Sequence, residues 1–574
     1  MNKQQVAQML HEIALLLELK GDNPFKIRAY SNGARTIELL QEDLETLVKE
    51  QRLKDVKGIG SALVDKISEM VMTGRSLFYV ELKASIPEGL MDILRVPGLG
   101  PKKIQILYEK LGISNLRELE YAVKENRLID LPGFGAKTQV KIALGIDYLK
   151  SFQGQYYYAE VLPHAYELLA VLKKHPGVVQ AALAGSLRRA KEVVKDIDLV
   201  AAADEPGQVT SFFAKLPAVK EIISQGDTKA SVILNNGLQV DLLVVASADY
   251  PYALHHFTGS KEHNTALRHL AKTKGMKINE YGLFTDDVKI SCSSEEDIYS
   301  ALGLHFIAPE LREGNGEIEA AQVGPLPQLL SREDIQGIFH VHTSMSDGDD
   351  SLEEMLQAAI KLGYKYIGIS DHSQSAYYAH GLKSDDVRMQ QEQISRLREK
   401  YPQITIYAGI ESDIKADGSL DYSDEILHSF DFVIASIHSH FKLGEEEQTR
   451  RIIKAMSHPA VTMLGHPTGR ILLARPGYGL KMEKILEAAR DYGVIMELNA
   501  SPARLDIDWR YLRQAKELGV MISINPDAHR IAELSDVIYG VAVARKGWLT
   551  PQDVFNCYDA EVVAEYLQKR KERK

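Results

Sequence analysis

Seven short apolar runs, separated by stretches with helical periodicity, occupy the chain from residue 335 onward, and this alternation is the strongest constraint on its fold. In chain order the runs read GIFHVH, YIGISDH, TIYAGIE, FVIASIH, TMLGH, VIMELN and MISINPDAH. Strands that alternate with helices form a parallel sheet covered by those helices. Seven such units predict a β/α barrel.

Six of the seven runs end in residues that commonly bind metal ions. These residues are His340, His342, Asp371, His372, Glu411, His438, His466, Asp527 and His529. Side chains two apart on a strand point to the same side, so His340 and His342 are directed at one point. Barrel active sites form at the C-terminal ends of the strands. A lone histidine in an apolar strand is usually a core residue, but six of the 18 histidines at strand ends predict a metal centre. Mixed His, Asp and Glu ligands suit Zn, Mn or Fe and do not choose among them.

Residues 1–150 have helical periodicity and contain an internal repeat. Its three copies are VKGIGSALVDKISEM (56–70), VPGLGPKKIQILYEK (96–110) and LPGFGAKTQVKIALG (131–145). A Gly-x-Gly turn before a helix allows backbone N–H groups to approach a phosphate closely. The glycines concerned are Gly58, Gly60, Gly98, Gly100, Gly133 and Gly135. The region holds 22 basic and 20 acidic residues in a chain of net charge −11, which favours contact with a nucleic-acid backbone. The alternative is that the glycines only permit close helix packing. The three stretches resemble helix-hairpin-helix motifs.

A second metal centre is predicted in residues 151–305, where short β runs are mixed with helices. Asp196 and Asp198 alternate on one strand, and Asp241 lies on another. Three carboxylates from neighbouring strands can hold two divalent ions, which clamp the attacking and leaving oxygens of a phosphoryl displacement. Upstream, Gly185 and Ser186 precede Arg188 and Arg189, a pattern that suits a polyphosphate.

This part of the chain resembles the family X DNA polymerases, the group that includes DNA polymerase beta. GSLRRAKEVVKDIDLV (185–200) is similar to their nucleotidyltransferase signature, and HFTGSKEHNTALRHLAKTKGMKINEYGLF (256–284) to their nucleotide-binding segment. The resemblance implies that Asp196, Asp198 and Asp241 are catalytic and hold Mg²⁺ or Mn²⁺. It assigns nucleotide binding to Gly185, Ser186, Arg189, Phe257, Gly259, Asn264 and Arg268. The sequence departs from the pattern at Gln239, His256 and Lys261, which leaves fidelity and sugar discrimination open.

The C-terminal part resembles the polymerase and histidinol phosphatase (PHP) domain, in which a trinuclear centre cleaves phosphoesters. The resemblance implies Mn²⁺, Zn²⁺ or Fe²⁺, up to three ions. The first ion would be held by His340, His342, Glu411 and Asp527, the second by Glu411 with His438 and His466, and the third by Asp347, His372 and His529. His440 competes with His438 for its place.

The whole chain is therefore similar to a bacterial family X DNA polymerase with a C-terminal PHP domain. This implies an all-α helix-hairpin-helix region with 8 kDa-like and fingers parts over 1–150. An α+β nucleotidyltransferase palm with a thumb-like nucleotide-binding region would follow over 151–305. A linker rich in Gly, Pro and Glu would span 306–333, and a PHP barrel, a distorted (β/α)7, would span 334–574.

The implied function is filling short gaps in DNA during base excision repair, with the barrel as a 3′–5′ exonuclease. An AP-endonuclease activity of the same barrel stays open. Two alternatives remain: a polymerase fused to a small-molecule phosphoesterase, and a non-catalytic DNA-end-binding scaffold.

The expected partners are dNTPs and gapped DNA with a 5′-phosphate, bound by a monomer. NPFKIRAY (23–30) resembles the family's 5′-phosphate pocket, with Lys26 and Arg28 as its charges. Lys66 stands where lyase members carry their Schiff-base lysine, but the adjoining Asp65 predicts that lyase activity is weak or absent.

The chain has only two cysteines, which excludes a disulfide framework. It contains no run of about 18 apolar residues, so no membrane helix is predicted. We therefore expect a cytoplasmic, nucleoid-associated protein without membrane contact.

Overall fold

The computed structural model describes residues 1, 3–38, 40, 42–87, 89–124, 127–129, 131–151 and 154–572. It divides into two compact units, Met1–Gln153 and Gly154–Lys574. Among the described residues, none of the helices combines the length and the apolar character needed to cross a membrane.

The first unit is built from α-helices. They are α1 (Lys3–Leu19), α2 (Pro24–Glu38), α3 (Leu44–Lys49), α4 (Ser61–Thr73), α5 (Leu77–Ala84), α6 (Gly89–Leu94), α7 (Pro101–Leu111), α8 (Leu116–Lys124) and α9 (Ala136–Ser151). Apolar residues at helical spacing form the core, and Leu10, Ile13 and Leu17 of α1 are fully buried. The glycines of each repeat lie immediately before α4, α7 and α9, so the repeat sets where these helices begin.

The second unit begins with a mixed five-stranded sheet. Its elements are β1 (Tyr156–Tyr157), α10 (Tyr158–Lys173), β2 (Gln180–Leu183), α11 (Gly185–Arg188), β3 (Val193–Val194), β4 (Asp196–Ala202), α12 (Pro206–Ala214), β5 (Val219–Gln225), β6 (Lys229–Leu234) and β7 (Gln239–Val245). The sheet order is β2-β4-β7-β6-β5, while β1 and β3 form a separate antiparallel pair. Only β4 and β7 pair in parallel, and this pair carries all three aspartates.

A smaller helical and β layer follows. It contains α13 (Tyr250–Thr258), α14 (Lys261–Thr273), β8 (Met276–Asn279), β9 (Gly282–Thr285), β10 (Val288–Ile290), α15 (Glu295–Ala301) and α16 (Glu317–Val323). Strands β8 to β10 form an antiparallel sheet. The stretch 306–333, expected to be a linker, includes α16 and buries Leu311, Ile318 and Ala321 in the same core cluster as Tyr252. It is therefore a packed part of this unit.

The remaining residues form a nearly closed parallel barrel, as the seven apolar runs predict. Its strands are β11 (Gly337–Val341), β12 (Tyr366–Ile369), β13 (Thr405–Asp413), β14 (Phe432–Ser436), β15 (Met463–Leu464), β16 (Ile495–Asn499) and β17 (Ile522–Asn525). Its helices are α17 (Leu352–Lys361), α18 (Ser384–Lys400), α19 (Asp424–Leu427), α20 (Glu445–Met456), α21 (Met482–Tyr492), α22 (Trp509–Glu517), α23 (Val537–Lys546) and α24 (Ala560–Lys571). The strands pair in chain order. The chain after β17 closes on β11, where the His342 N–H donates to the Ala528 carbonyl at 2.8 Å.

Candidate active sites

The three palm aspartates lie at one end of the parallel pair β4 and β7. Asp198 is in register with Asp241, and Asp196 with Gln239, so the carboxylates share one side of the sheet. The Asp241 carboxylate accepts hydrogen bonds from Ser231 Oγ and from Gln239 Nε2, the latter at 3.1 Å. Gln239, which departs from the family pattern, therefore contacts one of the three expected metal-binding carboxylates.

The ionisation of the palm carboxylates indicates that the site fits a cation. Burial, together with the charges of Asp196 and Asp241, raises the pKa of Asp198 to about 7. Burial and the charge of Asp241 also raise the pKa of Asp196. Carboxylates that repel one another in this way are stabilised by a divalent ion, for which hard oxygen ligands are suited.

Gly185 brings the start of α11 against these carboxylates. Its φ is +59°, and a Cβ at this position would overlap the Asp198 carboxylate, so only glycine fits. Ser186 follows it in α11, half-buried. The tight turn therefore packs directly against the carboxylates.

The two arginines after this turn are held by carboxylates. Arg188 makes a bidentate ion pair with Glu295 (3.1 and 2.5 Å). Arg189 is buried, its Nε lies 3.0 Å from Glu313 Oε1, and its Nη1 donates to the Thr258 carbonyl. Glu313 is also 2.5 Å from the buried ammonium of Lys546 in α23. Glu313 therefore pairs with the guanidinium that is expected to bind the nucleotide.

The expected nucleotide-binding segment surrounds the turn between α13 and α14. Gly259 in this turn packs against Arg189, because a Cβ there would lie 2.9 Å from Arg189 Nη1. Asn264 Nδ2 donates to the His256 carbonyl at 2.8 Å, while its Oδ1 is buried and makes no hydrogen bond within the described residues. Phe257 is half-buried and Arg268 is exposed. The segment thus presents polar groups next to the palm site.

In the barrel, all nine expected ligands come together at the C-terminal ends of the strands. Glu411 is at the centre of the group. Its Oε1 lies 2.9 Å from His466 Nε2, 3.2 Å from His438 Nε2 and 3.3 Å from His340 Nε2. Its Oε2 lies 2.8 Å from His372 Nδ1 and 3.7 Å from His342 Nε2. A carboxylate with histidines on both oxygens is arranged to bridge two ions.

The ligand atoms form overlapping groups of a size that suits metal ions. The four groups, each with all atoms within 4.8 Å, are His342, Asp347, His372 and His529; His340, His466 and Asp527; His340, His342 and Glu411; and His372, Glu411 and His438. His440 is exposed and belongs to none of these groups of described residues. The geometry therefore favours His438 over His440.

The buried barrel atoms fit metal ions. Within the described part of the chain, both ring nitrogens of His342 and the Oε2 of Glu411 are buried without a hydrogen bond. Burial and the neighbouring His529 and His372 lower the pKa of His342 to about 3, so its ring is neutral and able to bind a metal. Burial alone would lower the pKa of His438, but Glu411 and Asp413 raise it to about 10.

Three of the expected barrel ligands have strained backbone conformations. His340, His466 and Asp527 have φ values of +56°, +23° and +53°, in a region that non-glycine residues rarely adopt. The register of β11 also shifts between Ile338 and Val341. This irregularity in β11, together with the positive φ of His340, therefore sets the direction of the His340 side chain toward the site. Such strain clusters at functional sites because the surrounding structure must support it.

Sequence reasoning missed the carboxylates that orient the ligands. Glu497 of β16 accepts from His340 Nδ1 (2.6 Å), from the His466 N–H (2.7 Å) and from Asn525 Nδ2 (2.9 Å). Asp413 lies 2.6 Å from His438 Nδ1. Partners of this kind fix the ring orientation of metal-binding histidines. The sequence did hold a signal for Glu497, which is a charged residue in the apolar run VIMELN.

Most glycines of the helical repeat have open space beside them, whereas Gly58 packs against Thr36. A Cβ at Gly60, Gly100 or Gly135 would meet no described atom within 4 Å, so close helix packing does not explain these three. The residue between the two glycines of each turn is buried, and these residues are Ile59, Leu99 and Phe134. The turns therefore present bare backbone to solvent at the helix starts.

Two lysines of the first unit share one aromatic ring. The ammonium groups of Lys26 and Lys66 each lie 5.2 Å from the centroid of the Phe78 ring. Lys26 also pairs with Asp22 at 2.9 Å, and Arg28 is exposed nearby on α2. Lys26 thus lies close to Lys66, whereas Arg28, two residues after Lys26 on the helix, stands on a different face of α2.

Comparison with known proteins identifies the family of this chain. Four family models match: "Helix-hairpin-helix domain" (residues 1–76), "SAM-like Helix-hairpin-helix tandem" (90–147), "DNA polymerase beta thumb" (253–313) and "PHP domain" (339–501). The chain is 38% identical over 574 residues to the DNA polymerase/3′-5′ exonuclease PolX of Bacillus subtilis, covering 99% of this chain and 100% of that protein. This chain belongs to the PolX family.

Other relatives match one half of a PolX chain. A probable phosphatase of Thermoanaerobacter sp. is 30% identical over 41% of this chain and 95% of its own length. DNA polymerase lambda of Rattus norvegicus is 23% identical over 54% of this chain and 56% of its own length. Membership of the family confirms the predicted fold class. It also implies a dependence on divalent metal ions, to which both sets of side chains are suited.

Proposed function

We propose that the chain fills short gaps in DNA during base excision repair and that its barrel removes nucleotides from unpaired 3′ ends. The observation that supports this most is the presence of two complete ligand sets with no shared residue, in the palm and in the barrel. Full-length similarity to a DNA polymerase/3′-5′ exonuclease supports the same combination.

In the palm, Asp196, Asp198 and Asp241 would hold Mg²⁺ or Mn²⁺. These ions supply charge stabilisation for the attack of a primer 3′-OH on the α-phosphate of a dNTP. The Gly185 turn lets backbone and the Ser186 hydroxyl approach the triphosphate. Arg189 would add its charge on exchanging Glu313 for the phosphates. Phe257, Gly259, Asn264 and Arg268 would surround the incoming nucleotide and the template.

In the barrel, up to three Mn²⁺, Zn²⁺ or Fe²⁺ ions would occupy the nine-residue group. They supply Lewis acidity for phosphodiester hydrolysis when bound. Glu411 would bridge two of them, because histidines approach both of its oxygens. Glu497 and Asp413 hold the rings of His340 and His438 in orientation through their Nδ1 atoms.

The first unit would bind gapped DNA. The open glycines of the repeat allow its helix starts to approach the phosphate backbone of dsDNA without reading bases. Lys26 and Arg28 would receive the downstream 5′-phosphate. The chain would act as a monomer in the cytoplasm, associated with the nucleoid. Its functional domains would span residues 1–150, 151–305 and 334–574.

A one-nucleotide gap tests the proposal. The purified protein is incubated with a labelled gap that carries a paired or a mismatched 3′ end, with and without dNTPs and Mn²⁺. We expect one-nucleotide extension of the paired end and shortening of the mismatched end. Activity on a phosphomonoester such as histidinol phosphate, without activity on DNA 3′ ends, would favour the small-molecule phosphoesterase. Binding without either reaction would favour the non-catalytic scaffold.

The 5′-phosphate contact has its own test. Filling of a gap should be several-fold faster with a downstream 5′-phosphate than with a 5′-hydroxyl, and Lys26→Ala should remove most of that difference. Equal filling of both gaps by the native protein contradicts the pocket. Borohydride trapping on a 5′-deoxyribose-phosphate end should be weak. Efficient trapping that Lys66→Ala abolishes would instead show lyase chemistry.

A further inference from the structure

The cavity at the barrel ligands is lined by the palm as well as by the barrel. Its volume is about 600 Å³, within the usual range for ligand pockets. One side carries the barrel ligands Asp527 and His529. Another carries Tyr157, Ala159 and Glu160, which belong to the palm at β1 and the start of α10. The barrel therefore does not form this cavity alone.

Tyr157 is fixed in the cavity wall by contacts across the palm–barrel boundary. Its hydroxyl donates to the Leu472 carbonyl, in the loop between β15 and α21, at 2.8 Å. Its N–H donates to Glu160 Oε2 at 3.1 Å, which secures the start of α10. The half-buried ring is thus positioned by both domains before any substrate binds.

A second contact across the palm–barrel boundary lies next to Arg504, a cationic residue of the same cavity wall. Arg470 Nη2 lies 3.5 Å from Glu192 of the palm, and its Nε donates to the Arg504 carbonyl at 2.9 Å. Arg504 lines the cavity, and its Nε lies 3.5 Å from Asp527 Oδ2. The Arg504 guanidinium is therefore part of the cavity wall beside Asp527, where it can meet a phosphate without being a metal ligand.

From this arrangement we propose that the palm completes the nucleotide-binding cleft of the barrel, with Tyr157 as the surface on which the terminal base of a single-stranded 3′ end stacks. The scissile phosphate would then lie beside Arg504 and the metal ligands. The inference rests on the proposed exonuclease activity. On this proposal one wall of the cleft comes from the polymerase half of the chain, and the cleft prefers a substrate that carries a base.

The test uses the full-length protein and two labelled single-stranded oligonucleotides, one normal and one whose 3′-terminal nucleotide lacks its base. For Tyr157→Ala we expect the KM for the normal oligonucleotide to rise about tenfold, the size of one base–aromatic stack, with kcat within about twofold. The native protein should already have the raised KM on the abasic end, and Tyr157→Ala should change that KM by less than about twofold. Tyr157→Phe should retain most of the native preference.

Tyr158→Ala is the matched control. Tyr158 also lies at the palm–barrel boundary, where it packs edge-on against Tyr539 with 6.2 Å between ring centroids, but it does not line this cavity. It should leave both KM values unchanged. An unaltered KM in Tyr157→Ala, an equal rise on both oligonucleotides, or an equal rise in Tyr158→Ala would each overturn the inference. A native protein that degrades neither oligonucleotide would contradict the proposed exonuclease itself.

Discussion

The palm site consists of three carboxylates on two neighbouring strands, whereas the barrel site combines six histidines and three carboxylates from the ends of six strands. Asp196 and Asp198 are only half-buried, but His340, His342 and Glu411 are fully buried. In the barrel a further layer of carboxylates, such as Glu497, holds the ligands. From this difference we expect the palm to leave coordination positions to its substrates and the barrel to retain ions by itself.

Removing one ligand set at a time should cause the greatest loss of activity. Asp196→Ala with Asp198→Ala should lower primer extension roughly 1,000-fold or more, because the charge stabilisation from both ions is lost. Degradation of a 3′ end should persist. His340→Ala with His342→Ala should have the reverse effect. Both activities are measured on the same gapped oligonucleotide, and loss of both in either folded variant would contradict two independent sites.

A substitution that disturbs the backbone beside the palm carboxylates should also impair extension without impairing 3′–5′ degradation. Gly185→Ala places a methyl group against the Asp198 carboxylate at a φ of +59°, so it should displace a palm ligand and lower extension about 100-fold. The 3′–5′ degradation should not change. Gly207→Ala is the control, because a Cβ there meets its nearest neighbour at 3.6 Å, an ordinary contact. Normal extension by Gly185→Ala would show that the turn is not part of the palm site.

Changing a carboxylate that orients the barrel ligands should have a smaller effect on activity. Glu497→Gln keeps the shape of the side chain but cannot accept from all of His340 Nδ1, the His466 N–H and Asn525. Metal affinity and exonuclease activity should fall about 10- to 100-fold, with extension unchanged. Titration of the metal-free protein with Mn²⁺ checks this. Unchanged affinity would limit Glu497 to a structural role.

The smallest expected change is in the number of retained ions. After gel filtration in metal-free buffer, elemental analysis of the native protein should find metal that Asp198→Ala does not reduce, because that metal is held by the barrel. Glu411→Ala should lower the content by more than one ion per chain, since its two oxygens face different histidines. Loss of one ion or none would argue against a bridging role.

Local sequence patterns predicted much of this molecule. The seven apolar runs gave the number of barrel strands, and parallel strand ends meet on one face, so a metal centre could be predicted there. The full set of nine expected ligands, which includes Asp347 in the loop after β11, came from the resemblance to the PHP domain. The Asp-x-Asp spacing likewise predicted carboxylates on one side of a strand. These features depend on periodicity within a few residues, which a sequence displays directly.

Other features depended on contacts between distant parts of the chain. Arg189 pairs with Glu313, 124 residues away, and the Lys546 ammonium donates to the Arg189 carbonyl across 357 residues. Tyr157 reaches the barrel loop across 315 residues. The strand carrying His340 also has an irregular register that its alternation did not reveal. Local patterns were therefore enough to show which residues could bind metal and on which elements they lie. The carboxylate that orients each ligand and the palm residues that line the barrel cavity became known only from the fold, because those contacts arise from the packing of whole domains.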